Sequence, residues 1–75
     1  MSDQTFGQKA VGLSFNPSGD DAVTMVKTDA AKMIDDMNDL RVGSDSGEKK
    51  RMAALAITHL QEAQMWAVKA LTWKD

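Results

Sequence analysis

Three observations on this 75-residue chain predict an all-α fold: an antiparallel two-helix hairpin with an extended N-terminal arm, assembling as a homo-oligomer. Val23, Val26, Ala30, Met33, Met37 and Leu40 recur at spacings of 3, 4, 3, 4 and 3, the period of a helix with one buried seam. Ala53, Ala56, Leu60, Ala63, Ala67 and Ala70 repeat the same spacing further on. The connection between the two runs, residues 42–46, is short enough to make them antiparallel neighbours.

Residues 1–17 (MSDQTFGQKAVGLSFNP) hold no sustained period and contain Gly7, Gly12 and Pro17, which reads as an extended arm. Phe6, Val11, Leu13 and Phe15 are its apolar anchors, and the alternation of Val11, Leu13 and Phe15 suits an edge laid against the helix pair. The chain thus divides into the arm, residues 1–17, and a helical hairpin domain, residues 18–75.

The first helix is predicted to begin near Ser18. Asp21 follows three residues later in a capping pattern, and Asp20 and Asp21 favour the positive end of the helix dipole. Gly43 offers a left-handed stop. Asp45 with Glu48 offers a capping box for the second helix, whose small seam residues permit close approach to the Val, Met and Leu residues of the first.

The second helix has more apolar surface than one partner can cover. Ala53, Ala56, Ile57, Leu60, Ala63, Ala67, Val68 and Leu71 share one broad face, while Met52, Leu55, Trp66 and Trp73 lie well over a quarter-turn away. Only Arg51, Thr58, Gln61 and Lys69 mark a wet strip. A hairpin buries one of those faces, so the tryptophan face is expected to meet other copies of the chain. A domain this small lies near the limit for a single core, and without cysteine no disulfide reinforces it, which again favours oligomerisation.

Composition excludes several functions. The net charge of -2 gives no general attraction to nucleic-acid polymers or anionic membranes. No apolar stretch approaches the roughly 20 residues of a membrane span, and the start lacks a basic-then-apolar leader, so a soluble, cytoplasmic protein is expected. One histidine and no cysteine cannot build a nucleophilic triad or a Cys/His pair. Asp35 and Asp39 read as a solvated helix face rather than a metal site, and no Gly-rich phosphate loop is present, so neither metal nor cofactor is expected.

The cations are more suggestive. Lys9 lies on the arm, Lys27 and Lys32 on the first helix, and Lys49, Lys50 and Arg51 at the start of the second. Assembly would gather such residues into compact cationic pockets, which Phe6 and Phe15 are placed to close by stacking on a planar ligand. That combination suits a small anionic aromatic molecule such as a nucleotide.

The residues also carry a family resemblance. FNPSGDDAV at residues 15–23, a helix, and then ITHLQEAQMWAVKAL at residues 57–71 resemble the small phage-encoded anti-CBASS nucleotide sponges, whose hairpin is similar to that of the phage anti-Thoeris sponges. The pattern Glu62, Met65, Trp66, Ala67 is its most specific part, and the likeness spans roughly residues 13–72.

That resemblance implies a non-enzymatic protein that acts in the host bacterial cytoplasm. It would bind cyclic oligonucleotide second messengers and hold them intact, away from their effectors. It further implies a hexamer, with cyclic dinucleotides in pockets between protomers and cyclic trinucleotides at separate sites on the threefold axes. Carried over by residue, the arm motif Phe15, Asn16, Pro17 and Ser18 supplies a stacking ring and its surroundings, with phenylalanine where relatives carry tyrosine. Lys27, or else Lys32, contacts phosphate. Arg51 serves the threefold site with Thr28 as hydroxyl partner, and Glu62, Met65 and Trp66 support assembly and the pocket. Two other readings are a sponge for cyclic ADP-ribose isomers and a helical adaptor that binds a host protein through the Trp66 and Trp73 face.

Overall fold

A computed structural model describes residues 3–75, so the first two residues of the predicted arm lie outside the described residues. The described residues fold into three helices: α1 (Phe6–Val11), α2 (Asp21–Gly43) and α3 (Gly47–Thr72). The long helices α2 and α3 form the predicted hairpin. The Cα atoms fill a thin plate of 46 × 33 × 12 Å.

The extended arm is corrected by α1. Thr5 caps this helix by accepting a hydrogen bond from the Gln8 N–H, while the Gln8 side chain accepts from the Thr5 N–H, a reciprocal box that fixes the first turn. Gly12 ends it at φ 62°, with the Gly12 N–H on the Lys9 carbonyl and the Leu13 N–H on the Gln8 carbonyl. A helix of six residues has too few turns to show a period, which is why the sequence pattern read as extended. Val11 is buried and Leu13 packs against the core as expected, but Phe6 and Phe15 are exposed rather than anchoring.

Gly7 brings α1 onto α2. A Cβ added there would stand 2.1 Å from the Ala31 carbonyl oxygen, so only glycine permits this approach. The Gly7 N–H donates to Asp35 Oδ1 at 2.7 Å, and Gln61 Nε2 of α3 donates to the Ala10 carbonyl at 3.3 Å. Gln61 therefore belongs to the packed side of α3 and not to the wet strip.

The helix ends also shift from their predicted places. Asp20, not Ser18, caps α2 by accepting from the Ala22 N–H at 2.8 Å, because Ser18 is drawn into the preceding turn. Gly43 stays helical, and the chain leaves through Ser44 in extended backbone, its N–H on the Leu40 carbonyl, so no left-handed stop is used. Ser46 rather than Asp45 caps α3, accepting from the Lys49 N–H at 3.2 Å.

The core gathers Val11, Ala31, Ile34 and Ile57, one or more from each helix, with Ala10, Leu13, Ala30, Met37 and Leu60 packed around them. Its stripe on α2 runs through Val23, Lys27, Ala31 and Ile34, whereas Met33 and Leu40 of the predicted seam are exposed. The predicted seam runs through Val26 and Ala30 and leaves Lys27 off it, and the buried lysine rotates the true stripe by about one residue. On α3 the stripe is Ala53, Ile57 and Gln64, with Ala56, Leu60 and Ala67 at its edges and Ala63 and Ala70 outside it. Met52, Leu55, Trp66 and Trp73 all remain exposed on this single chain, as the second apolar face requires.

Candidate functional site

At the open end of the hairpin, where α2 begins and α3 ends, lies a groove of about 300 Å³. Its walls are Phe15, Asn16, Pro17 and Ser18 from the turn, Val23 and Lys27 from α2, and Val68 and Thr72 from α3. Five of the residues singled out in the sequence therefore come together on one surface.

The turn is built to present Phe15. The residue is 72% exposed, so little of it is engaged in packing. Its main chain, by contrast, is fixed: the Phe15 N–H donates to the Gly12 carbonyl at 2.9 Å. Lys27 Nζ donates to the Gly12 carbonyl at 3.0 Å and to the Phe15 carbonyl as well, and lies 5.5 Å from the Phe15 ring centroid. With Lys27 only 5% exposed, those two carbonyls replace the water its ammonium gives up.

Asn16 and Ser18 hold the other half of the turn. Asn16 Nδ2 donates to the Asp20 carbonyl and to Thr24 Oγ1, each at 3.0 Å, and Ser18 Oγ donates to Asn16 Oδ1 at 2.9 Å. Gly19 closes this stretch at φ 63°, its N–H on the Asn16 carbonyl. Both side chains line the groove while serving the turn's internal bonds; Pro17 is exposed on its rim.

Thr28 and Arg51 do not line this groove. Thr28 follows Lys27 on α2, is exposed, and donates its hydroxyl back to the Thr24 carbonyl at 2.8 Å. Arg51 stands on the first turns of α3, roughly 25 Å from Val68 by helix rise. It makes a forked pair with Glu48, Nε to Oε2 at 3.1 Å and the other nitrogen to Oε1. This exposed pairing holds the Glu48 carboxyl below its ordinary value and raises that of Arg51. Lys32 is exposed on α2 and outside the groove.

Two neighbouring hollows extend the surface. One, about 260 Å³, shares Phe15, Lys27 and Val68 with the groove and adds Val11, Gln64 and Met65. The other, about 240 Å³, lies among Glu62, Met65, Trp66 and Lys69. There Lys69 Nζ stands 5.3 Å from the Trp66 ring and 5.9 Å from the Trp73 ring, bridging the two tryptophans. Sequence reasoning missed Gln64, and its signal was positional: it continues the helical spacing from Ile57 toward Val68.

Among the described residues no three His, Cys, Asp or Glu side chains gather to hold a metal ion, and Asp35 is instead bonded to Gly7. Among the described residues no helix is long and apolar enough to cross a membrane. The profile of the "Acb2/Tad1, hairpin domain" family matches residues 8–72, most of the chain. The chain belongs to this family. Its hairpin is thus that of the phage anti-CBASS and anti-Thoeris sponges, in line with the resemblance of residues 15–23 and 57–71. No curated protein and no solved structure matches the chain significantly.

Proposed function

We propose that this protein binds cyclic oligonucleotide second messengers, dinucleotides and trinucleotides, and sequesters them intact in the host bacterial cytoplasm, so that CBASS effectors receive no signal. Membership of the sponge family across residues 8–72 carries this reading. The groove at the Phe15 turn supports it, with an exposed aromatic residue beside a lysine on one surface.

A base stacks on the Phe15 ring, a contact that tolerates any nucleobase because each has a π-face. Lys27 uses two of its three N–H donors on main-chain carbonyls, which leaves one for a ligand phosphate. The groove is at the small end of the range for ligand pockets, and a second copy of the chain completes it. That copy is held through the face of Met52, Leu55, Trp66 and Trp73, in a hexamer whose threefold axes bring Arg51 and Thr28 around cyclic trinucleotides. Sequestration then depends on affinity and copy number, with no bond made or broken.

The test is retention and release. Purified protein is incubated with cyclic dinucleotides, cyclic trinucleotides and cyclic ADP-ribose isomers, filtered free of unbound ligand, heated, and the released molecules are separated by chromatography. Intact cyclic oligonucleotides are expected. Linear products would show an enzyme, and an empty filtrate after heating would refute sequestration. Retention of cyclic ADP-ribose isomers alone would place the protein with the anti-Thoeris sponges.

A further inference from the structure

Gln64 is polar, 8% exposed, and on the buried stripe of α3 between Ile57 and Val68. Its Oε1 is sealed from solvent and has no hydrogen-bond partner among the described residues. The contrast with Gln61, one turn earlier, is direct: that amide donates to the Ala10 carbonyl and ties α3 to α1. Gln64 ties nothing. An orphaned buried acceptor destabilises the unliganded chain, and an aliphatic side chain of similar size would fill the place without that cost.

The surroundings of Gln64 give the amide something to do. It lines the hollow of about 260 Å³ whose other walls include Phe15, Lys27 and Met65. Phe15 and Met65 are both exposed, so two walls of that hollow are side chains that packing does not hold, one of them a flexible thioether. The terminal torsion of a glutamine is broad, and no bond to Oε1 opposes its rotation.

We propose that Gln64 reads the base edge of the ligand, as a specificity-determining residue of the Phe15 site; this rests on the sponge reading above. A base stacked on Phe15 over this hollow turns its edge toward Gln64, and the amide swings out to meet it. One N–H donor beside one C=O acceptor matches the N6 and N7 edge of adenine, whereas the corresponding edge of guanine offers two acceptors. Stacking supplies the affinity common to all bases, and Gln64 supplies the preference for adenine.

The experiment compares the intact oligomer with its Gln64→Leu variant. Cyclic di-adenosine and cyclic di-guanosine monophosphate are titrated into each by calorimetry, and each is melted without ligand. The unmodified protein is expected to favour the adenine ligand by about tenfold or more, the scale a two-bond amide contact supplies. The variant should bind the two ligands within about threefold of each other, and should melt at a higher temperature than the parent because the orphaned acceptor is gone. Gln64→Met, similar in length and without the amide, should behave alike.

An undiminished adenine preference in the variants would overturn the proposal. So would an equal loss for both ligands, which would leave Gln64 as a wall and no more, or a lowered melting temperature in both variants, which would make it a structural residue. If the unmodified protein binds no cyclic nucleotide at all, the sponge reading itself fails and Gln64 with it. A failure confined to the variants strikes only Gln64.

Discussion

Lys27 reaches from α2 to donate its ammonium to the main-chain carbonyl of Phe15, and the same nitrogen stands 5.5 Å from the centroid of that residue's ring. The lysine therefore fixes the backbone that carries the ring while lying against the ring itself. Lys27→Met keeps the stem and removes the donor, leaving the Gly12 and Phe15 carbonyls without it. Urea unfolding should show a loss of about 1.5–3 kcal/mol, the scale of a hydrogen bond to a charged group. Dinucleotide affinity should fall with it, and the remaining binding should depend less on salt.

Phe15→Ala separates binding from folding. Because the ring is mostly exposed, unfolding free energy should change by no more than about 0.5 kcal/mol. Calorimetry with cyclic dinucleotides should register a loss of roughly 1–3 kcal/mol from missing stacking. Unchanged affinity would place the dinucleotide site elsewhere on the chain.

Gly7→Ala tests the seating of α1. The new methyl meets a main-chain carbonyl oxygen at 2.1 Å, so α1 must move, and the Gly7 N–H bond to Asp35 goes with it. Overpacking of this kind costs about 1–3 kcal/mol, measurable by denaturant titration. Since α1 leads directly into the Phe15 turn, dinucleotide affinity should drop even though every groove residue is retained.

Trp66→Ala bears on assembly. The residue is 64% exposed on one chain, and its burial between copies would contribute on the order of 1.5–3 kcal/mol per site. Light scattering should report a hexamer for the unmodified protein and smaller species for the variant. A monomeric parent would leave the tryptophan face without the role assigned to it.

Arg51 carries the proposed trinucleotide site. Arg51→Ala should abolish cyclic-trinucleotide binding and spare dinucleotides, with Phe15→Ala doing the reverse. Glu48 competes for the same guanidinium through its forked pair. Glu48→Gln should consequently tighten trinucleotide binding severalfold, because the guanidinium no longer has to leave a carboxylate to reach phosphate. Parallel losses of both ligand classes in either the Arg51 or the Phe15 variant would indicate one shared site.

The hairpin was legible in the sequence because two long amphipathic segments and a short connection are averages over many residues, which single exceptions do not disturb. What escaped depended on individual side chains acting against type. Lys27 is a cation inside the core, Gln64 an amide inside the core, and each looks solvated to any reading that sorts residues by polarity. The helix α1 escaped because its stability comes from a capping box and a glycine approach, contacts that a period cannot encode. The Phe15, Asn16, Pro17, Ser18 motif and Lys27, singled out from the sequence, meet at the groove. Thr28 and Arg51 do not, and nothing in a linear motif states which residues share a wall.

The left-handed residues among those described are Gly12 and Gly19, and they bracket the Phe15 turn. The lysine that anchors the turn grips main-chain carbonyls, which every amino acid supplies. Position 15 is therefore a socket into which different side chains can be fitted while the helices beneath keep their packing. On the proposed reading, the ring that meets a base can be exchanged at that socket without the exchange reaching the packing on which folding depends.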